Sequence, residues 1–464
     1  MIPLTIAQIA QVTGAAMDQV ADPAAVVTGP VVTDSRECKP GALFAALPGE
    51  RTDGHEFAAS AVAAGAVAVL GTRPTGAPTL IVADVLAALA ALARAVVDRL
   101  PGLTIAGITG SAGKTTTKDL AAQLVSALGP AVWPRNSFNN EIGHPLTVLR
   151  VGPQTRYLIA ELSARGPGHI ATLCQIAPPR LGVVLCVGNA HAGEFGSIEQ
   201  IAAAKSELPR ALPPDGVALL NADDPLVAAM AGVTPARVVT FGRSAAADVR
   251  ASEVSVDELS RPRFTLTMPD GSAQVRLRLH GEHNVTNALG AAALAGQLGM
   301  EVGAVAAALS EASALSRWRM EVTERPDGVI IVNDAYNASP EAVTAALAAT
   351  GVIAAGRRAY AVLGRMAELG ERSREFHEQA GVTAARSGLS GIIAVGPEAA
   401  PILAGAKSVP GFAGELLAVD DGEAAMAAIT ERLRPGDVVL VKASHAVGLE
   451  TVALALAGQE GAAR

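Results

Sequence analysis

"LTIAGITGSAGKTTTKDLAAQLVSALG", residues 103–129, reads as a buried strand, a glycine-rich turn and a helix. A strict phosphate loop, G-x-x-x-x-G-K-[ST], would put a glycine at 108, where the chain has Ile108. The glycines present form a triplet instead: Gly107, Gly110 and Gly113. Gly110 and Gly113 still free the backbone nearest an anion. The N–H groups of Ser111, Ala112, Gly113 and the helix start, through Thr116, would face it. Lys114 would reach the β- and γ-phosphates of a nucleotide, and the Thr115 hydroxyl suits Mg²⁺. The bland alternative is a glycine-rich turn with a chance GKT. Strand, loop and helix in succession favour the phosphate site.

The whole chain bounds what this loop serves. Its 464 residues suggest about three domains at ~150 residues each. Net charge is −8 and the pI about 5.6. No basic run or aromatic–basic interleaving occurs, which argues against nucleic acid as a partner. Cys38, Cys174 and Cys186 lack metal or redox spacing, as expected of a reduced, cytoplasmic chain. "MIPLTIAQIAQ" lacks the basic start of a signal peptide. No apolar run reaches ~18 residues, so no membrane insertion is expected. Nothing demands more than a monomer.

The fold class is α/β in three domains. Residues 1–83 form a small mixed α/β unit, with "LTIAQIAQVTG" as a helix and "GALFAAL" and "AVAVLG" as strands. Residues 84–314 form a central P-loop domain. There "YLIAEL", "LGVVLCVG", "VALLNADD" and "RVVTFG" alternate with helices, which predicts a parallel sheet covered on both faces. "RFTLTMPDGSAQVRLRL" alternates around a Pro-Asp-Gly turn and predicts an antiparallel hairpin. Residues 315–464 are Rossmann-like by pattern, with strands "GVIIVNDA", "RAYAVLG", "GIIAVG" and "DVVLVK". They carry no G-x-G-x-x-G, so no dinucleotide site is indicated.

Other side chains add to the loop. Glu161 ends "YLIAEL", a strand that should lie beside the phosphate-loop strand, where a carboxylate can hold a hard cation; the alternative is a strand-end salt bridge. His191, in "VGNAHAGEFGS", follows a strand end, where an imidazole can ligate a metal; alone it reads as a hydrogen-bonded loop histidine. Lys205, in "QIAAAKSELP", reads by itself as a lysine on a solvated helix face.

"GITGSAGKTTTK" resembles the nucleotide loop of the Mur ligases, which build the peptide stem of the bacterial cell wall, and the resemblance covers essentially the whole chain. It implies ATP and Mg²⁺ as cofactors, with Thr115, Glu161, His191 and Lys205 as metal-side residues and Lys114, His191 and Lys205 as catalytic ones. Lys205 would be carbamylated, which requires a neutral amine and hence a depressed pKa. "HGEHNVTNALGAA" resembles the family's HN-x-x-N segment near the adenine, with Asn284 and Asn287 one helical turn apart. "RWRMEV" resembles the Arg-Met-Glu linker, whose Arg319 would swing onto the phosphates. "VNDAYNASP" resembles the ATP-side loop of the last domain, with Asp334, Tyr336 and Asn337; their bland readings are a helix cap and turn residues.

Two stretches resemble one member, the ligase that adds D-alanyl-D-alanine to UDP-N-acetylmuramoyl-tripeptide: "NSFNNEIGHPLTVL", with Asn139 and Asn140 as implied substrate contacts, and "AVLGRMAELG". "TDSRECKPGALFAALPGERTDGHEF" resembles the domain that binds the uridine nucleotide, with Ser35, Arg36, Asp53 and His55 as implied contacts. The chain departs from the pattern at Arg365, where an acid is usual, at His445, where Arg is common, and at His169, where Glu is usual. The rivals are another ligase of the superfamily, such as the diaminopimelate- or lysine-adding enzyme or a folylpolyglutamate synthase, and a P-loop ATPase or switch that joins nothing.

Overall fold

The computed structural model describes residues 1–49, 52–189 and 192–459. Within these residues, three large sheets and a two-stranded ribbon organise the chain. The phosphate-loop strand, Thr104–Thr109, lies inside a nine-stranded sheet. It pairs in parallel with Tyr157–Glu161 on one side and Leu181–Val184 on the other. All three strands are buried almost throughout, which accounts for their continuous apolar runs. Val217–Asn221, Arg237–Gly242 and Val249–Val256 continue the parallel run. The expected hairpin forms from Pro262–Met268 and Gly271–Arg276, and it extends this same sheet in antiparallel sense.

The glycine triplet divides its work. A Cβ on Gly107 would stand 2.9 Å from Leu162 Cδ1 and 3.0 Å from Leu208 Cδ1, so this glycine serves packing of the sheet. Ile108 is a fully buried strand residue. Gly113 has φ +80°, left-handed backbone that favours glycine. A Cβ there would also collide with Asn287 Oδ1. The helix that follows, Lys114–Ser126, packs against Asn284–Gln297.

The N-terminal unit is a five-stranded sheet, parallel from Val31–Val32 through Thr79–Ile81, with Ala16–Asp18 added antiparallel. Its first helix, Ile6–Thr13, has a Thr5/Gln8 capping box and a left-handed Gly14 stop. The helix Val85–Asp98, capped by Asp84, packs on Ile6–Thr13 and on two central helices. One apolar core therefore runs across both units, from Ile2 to Ala236.

The last sheet has six strands. Ile330–Asn333, Val438–Lys442, Ala359–Gly364, Gly391–Val395 and Glu415–Val419 are parallel, and Glu321–Glu324 is an antiparallel edge. The strand ends at Asn333 and Lys442 lie side by side and face the phosphate loop across a cleft. Brought together there, central and C-terminal residues line one cavity of about 690 Å³. No helix among the described residues is long and apolar enough to cross a membrane.

Candidate active site

The phosphate loop is tied down from behind. Ser111 N donates to Cys186 O (2.9 Å) and Ala112 N to Cys186 Sγ (3.4 Å). Burial pushes the Cys186 thiol pKa up, which keeps it a neutral partner. Ser111 Oγ is bonded to the backbone of Gly188. Lys114 Nζ folds back onto Gly110 O (2.7 Å) and Ser111 O (3.4 Å). Desolvation pulls the Lys114 pKa below its ordinary value, and the nearby Glu161 carboxylate opposes this. Ser111, Ala112, Gly113, Lys114, Thr115 and Thr116 all line the cavity.

Glu161 is where the strand pairing places it, opposite Ile108 at the end of the neighbouring strand. Its Oε1 accepts from Thr115 Oγ1 (3.1 Å) and Asn139 Nδ2 (2.7 Å). Its Oε2 is buried and has no hydrogen-bond partner among the described residues. Thr115 Oγ1 also meets Ser137 Oγ at 2.9 Å, and Ser137 Oγ accepts from Arg319 Nη2 at 2.9 Å. Because Thr115 donates to the carboxylate, Ser137 donates to Thr115. A chain of hydrogen bonds thus runs from Arg319 through Ser137 and Thr115 to Glu161. Arg319 Nε is buried and has no hydrogen-bond partner among the described residues. An unmet guanidinium N–H and an unmet carboxylate oxygen in one cavity suit an anion and a cation respectively.

No cluster of three or more His, Cys, Asp or Glu forms a metal cage among the described residues. A small hard cation needs less, one or two protein oxygens with the rest from phosphate and water. Thr115 Oγ1 and the free oxygen of Glu161 supply that donor set.

Asn284 and Asn287 also line the cavity, with Asn287 beside Gly113, and are joined by Asn287 Nδ2→Asn284 Oδ1 at 2.8 Å. From the C-terminal unit, Arg319 lies over the Tyr336 ring, 4.3 Å from its centroid. His445 stacks on Tyr336 at 5.5 Å and also meets Trp318. Asp334 holds Lys442 Nζ (2.5 Å) and accepts from Met320 N (3.1 Å). Lys442 Nζ also donates to Asn337 O at 2.9 Å. Asp334, Tyr336, Asn337 and Lys442 line the cavity, as do Asn139, Asn140 and His169.

Lys205 is 2 % exposed, at the end of the helix Ile198–Lys205. The solvated alternative is therefore overturned: the helix turns this face inward. Desolvation first, and then the Lys114 charge, lower its pKa to about 7. His191 lies outside the described residues.

The N-terminal candidates stand apart; none lines the cavity. Arg36 is exposed, paired with Asp34 at 2.6 Å, and Ser35 opens the same short turn. His55 is buried: Nδ1 meets Asp53 Oδ1 at 2.6 Å, and Nε2 accepts from Thr72 N at 2.9 Å. Both ring nitrogens are thus engaged within the fold. Asp53 also takes Arg73 Nη2 at 2.7 Å, and its pKa is held at about 2, chiefly by the His55 hydrogen bonds. Arg365 pairs with Glu398.

Sequence reasoning missed Ser137, Lys442, Cys186 and Glu341. Glu341 Oε1 accepts from Asn189 N at 2.7 Å and Nδ2 at 3.0 Å, across the two units. Ser137 lies in the quoted "NSFNNEIGHPLTVL", and its distance of two residues from Asn139 was the available signal.

Comparison with known proteins agrees with this geometry. Residues 30–101 match the Mur ligase family catalytic domain, 108–295 the Mur ligase middle domain, and 318–445 the Mur ligase glutamate ligase domain. The chain is 50 % identical to the UDP-N-acetylmuramoyl-tripeptide–D-alanyl-D-alanine ligase of Mycobacterium tuberculosis, over 99 % of each chain. It is 35 % identical to the Escherichia coli enzyme of the same name, over 98 % of this chain and 99 % of that one. The structure of MurF from Acinetobacter baumannii superposes with a TM-score of 0.86 at 31 % identity, covering 98 % of this chain and 99 % of that one. MurF of Thermotoga maritima, solved in complex with ADP, gives 0.79 at 32 % identity, covering 93 % and 98 %. By family matches along its length and by these relatives, the chain belongs to the Mur ligase family.

Proposed function

We propose that this ligase joins D-alanyl-D-alanine to UDP-N-acetylmuramoyl-tripeptide at the expense of ATP, releasing ADP and phosphate. The observation that carries the choice of substrates is the 50 % identity, end to end, with a relative of that name. The cavity supports the chemistry. ATP would lie with its phosphates on Gly110–Thr116 and its base towards Asn284, Asn287 and Tyr336. Lys114 would leave its two carbonyls for the β- and γ-phosphates. Arg319, with Nε unmet, would face the transferring group. Mg²⁺ on Thr115 and Glu161 would supply charge neutralisation at the phosphoryl oxygens.

The tripeptide's terminal carboxylate attacks the γ-phosphorus, and the bond to ADP breaks, leaving an acyl phosphate. The dipeptide's amine then attacks the acyl carbon and loses its proton, and phosphate departs with the carboxylate oxygen. Closure of the two units over the cavity would exclude water that would otherwise hydrolyse the acyl phosphate. Lys205, with a pKa of about 7, is neutral often enough near neutral pH to take up CO₂ as a carbamate. With His191 it would form the second metal side. Residues 1–83 would hold the uridine nucleotide through Ser35, Arg36 and Asp53, with His55 fixing Asp53, and residues 315–464 would close on ATP and receive the dipeptide.

The test is phosphate release with a mass readout of product, with each substrate left out in turn. This reading expects release only with both, and a product heavier by the dipeptide. Release that ignores both would make the chain an ATPase or switch. Release that needs a different amino acid would keep the family and change the member.

A further inference from the structure

The helix that begins the phosphate cradle carries two buried charges in succession. Lys118 is 1 % exposed and Asp119 3 %, and they pair at 2.5 Å. Burying such a pair is unfavourable unless its remaining valences are met and it fixes something. Asp119 Oδ1 faces Lys118 alone, with no hydrogen-bond partner among the described residues, whereas its other oxygen and the ammonium reach out of the helix. Asp119 Oδ2 accepts from Ser316 N at 2.9 Å, and Lys118 Nζ lies 3.4 Å from Ser316 Oγ. About one turn on from Asp119, Gln123 exchanges two hydrogen bonds with Ser313, 2.9 Å to its carbonyl and 3.1 Å from its N–H. Ser313 and Ser316 belong to the linker between the helix Val302–Glu311 and the strand Glu321–Glu324, where the chain passes from the central to the C-terminal unit.

That linker is strained. Trp318 (φ +59°) and Met320 (φ +52°) both adopt left-handed backbone, which bulky side chains rarely take. Arg319 lies between them. Lys118 also donates to Pro134 O (3.1 Å) and Asn136 O (3.2 Å), fixing the loop that presents Ser137, the residue that receives Arg319. One helix thus holds the phosphate cradle at its start, the strained hinge on its flank, and the serine that catches the hinge arginine.

We infer that Lys118 and Asp119 are a positioning pair, which couples the hinge to the phosphate loop so that Arg319 faces the nucleotide in the closed molecule. Asp119 borders the cavity, yet neither residue is among those that would hold the phosphates. Their effect passes through Ser316 and Asn136 to Arg319 and Ser137. The inference rests on the ligase reading above only for its activity readout.

The test is Asp119→Asn in the full chain, with Asp119→Glu as the conservative rescue. Three quantities are read: ADP affinity by calorimetry, kcat and KM for ATP, and compaction by X-ray scattering on adding a non-hydrolysable ATP analogue. The pair predicts ADP affinity within about threefold of the parent, KM for ATP little changed, and kcat down about 10- to 100-fold. It also predicts loss of the nucleotide-induced compaction and partial recovery of both in Asp119→Glu. A folded Asp119→Asn with parental kcat and compaction would overturn the inference. So would a parallel fall of ADP affinity and kcat, which marks a residue that merely supports the cradle. If Asp119→Asn does not fold, Gln123→Ala cuts the outer half of the same clamp; a lowered kcat at parental ADP affinity supports the inference, and a parental kcat overturns it. Unmutated protein that shows no dipeptide-dependent phosphate release would refute the ligase reading instead, while ADP binding and compaction still judge the pair.

Discussion

The cleft and the N-terminal corner use similar residues in opposite ways. In the cleft, Lys114, Glu161 and Arg319 are held by internal partners, and Glu161 and Arg319 each keep one buried polar atom unmet among the described residues. At the corner, Arg36 stands in solvent beside Asp34, and only the His55–Asp53 contact is buried. Enclosed groups act in a low dielectric and need little reorganisation, so they are suited to charge that develops during reaction. Exposed groups are screened by water and salt, so they are suited to holding a substrate that arrives already charged. The difference predicts that cleft variants change kcat and corner variants change KM.

The largest effect belongs to the cleft. Lys114→Met and Glu161→Gln should each lower kcat by about 10²–10³-fold or more, read as phosphate release at saturating substrates. A Glu161→Gln enzyme with parental kcat at low Mg²⁺ would contradict this role, because the buried free oxygen would then have no cation to meet.

Lys205→Met comes next and should separate activity from stability. The folded pKa, about 7, lies below the ordinary 10.5. At pH below 7 both folded and unfolded chains carry the charge, and the burial penalty is full. Between 7 and 10.5 the unfolded chain holds a proton that the folded one lacks, so stability rises with pH; above 10.5 the penalty is gone. In CO₂-free buffer the variant should therefore have a higher urea midpoint than the parent at pH 6.5, and this advantage should shrink towards pH 10. Activity should be lost throughout. In the parent, ¹³C-bicarbonate should give a carbamate carbonyl signal that the variant lacks.

Gly113→Ala should follow. Its left-handed backbone and the Asn287 contact both oppose a side chain, so nucleotide affinity and melting temperature should fall together. The smallest effect is expected of Arg36→Ala. KM for the uridine substrate should rise about tenfold with kcat and melting temperature unchanged, because the side chain is 88 % exposed. A kcat loss there as large as that of Lys114→Met would erase the distinction between the two regions.

What the sequence made legible follows the same divide. The glycine triplet, the strand before it and Glu161 beside it are local patterns, and the strand pairing bears out their adjacency. The hairpin was legible from its Pro-Asp-Gly turn. Glu321–Glu324 and Glu415–Val419 were not, because neither is a buried apolar run. Lys205 reads as a surface lysine because its neighbours are alanines; only the packing of its helix shows the face to be buried. The clamp on the hinge was invisible for a stronger reason. Asp119 and Ser316 are 197 residues apart, and neither belongs to a motif that demands the other. Lys442 likewise reads as the end of an apolar strand until the adjacent strand brings Asp334 to it.

In the proposed reaction the cleft first transfers a phosphoryl group to the tripeptide's carboxylate, before the amine acts. This transfer is tested most directly by labelling that carboxylate with ¹⁸O and measuring the mass of the phosphate released in the presence of ATP and D-alanyl-D-alanine. One ¹⁸O atom is expected in each phosphate, in step with amide formation. Unlabelled phosphate at the same yield of amide would contradict it.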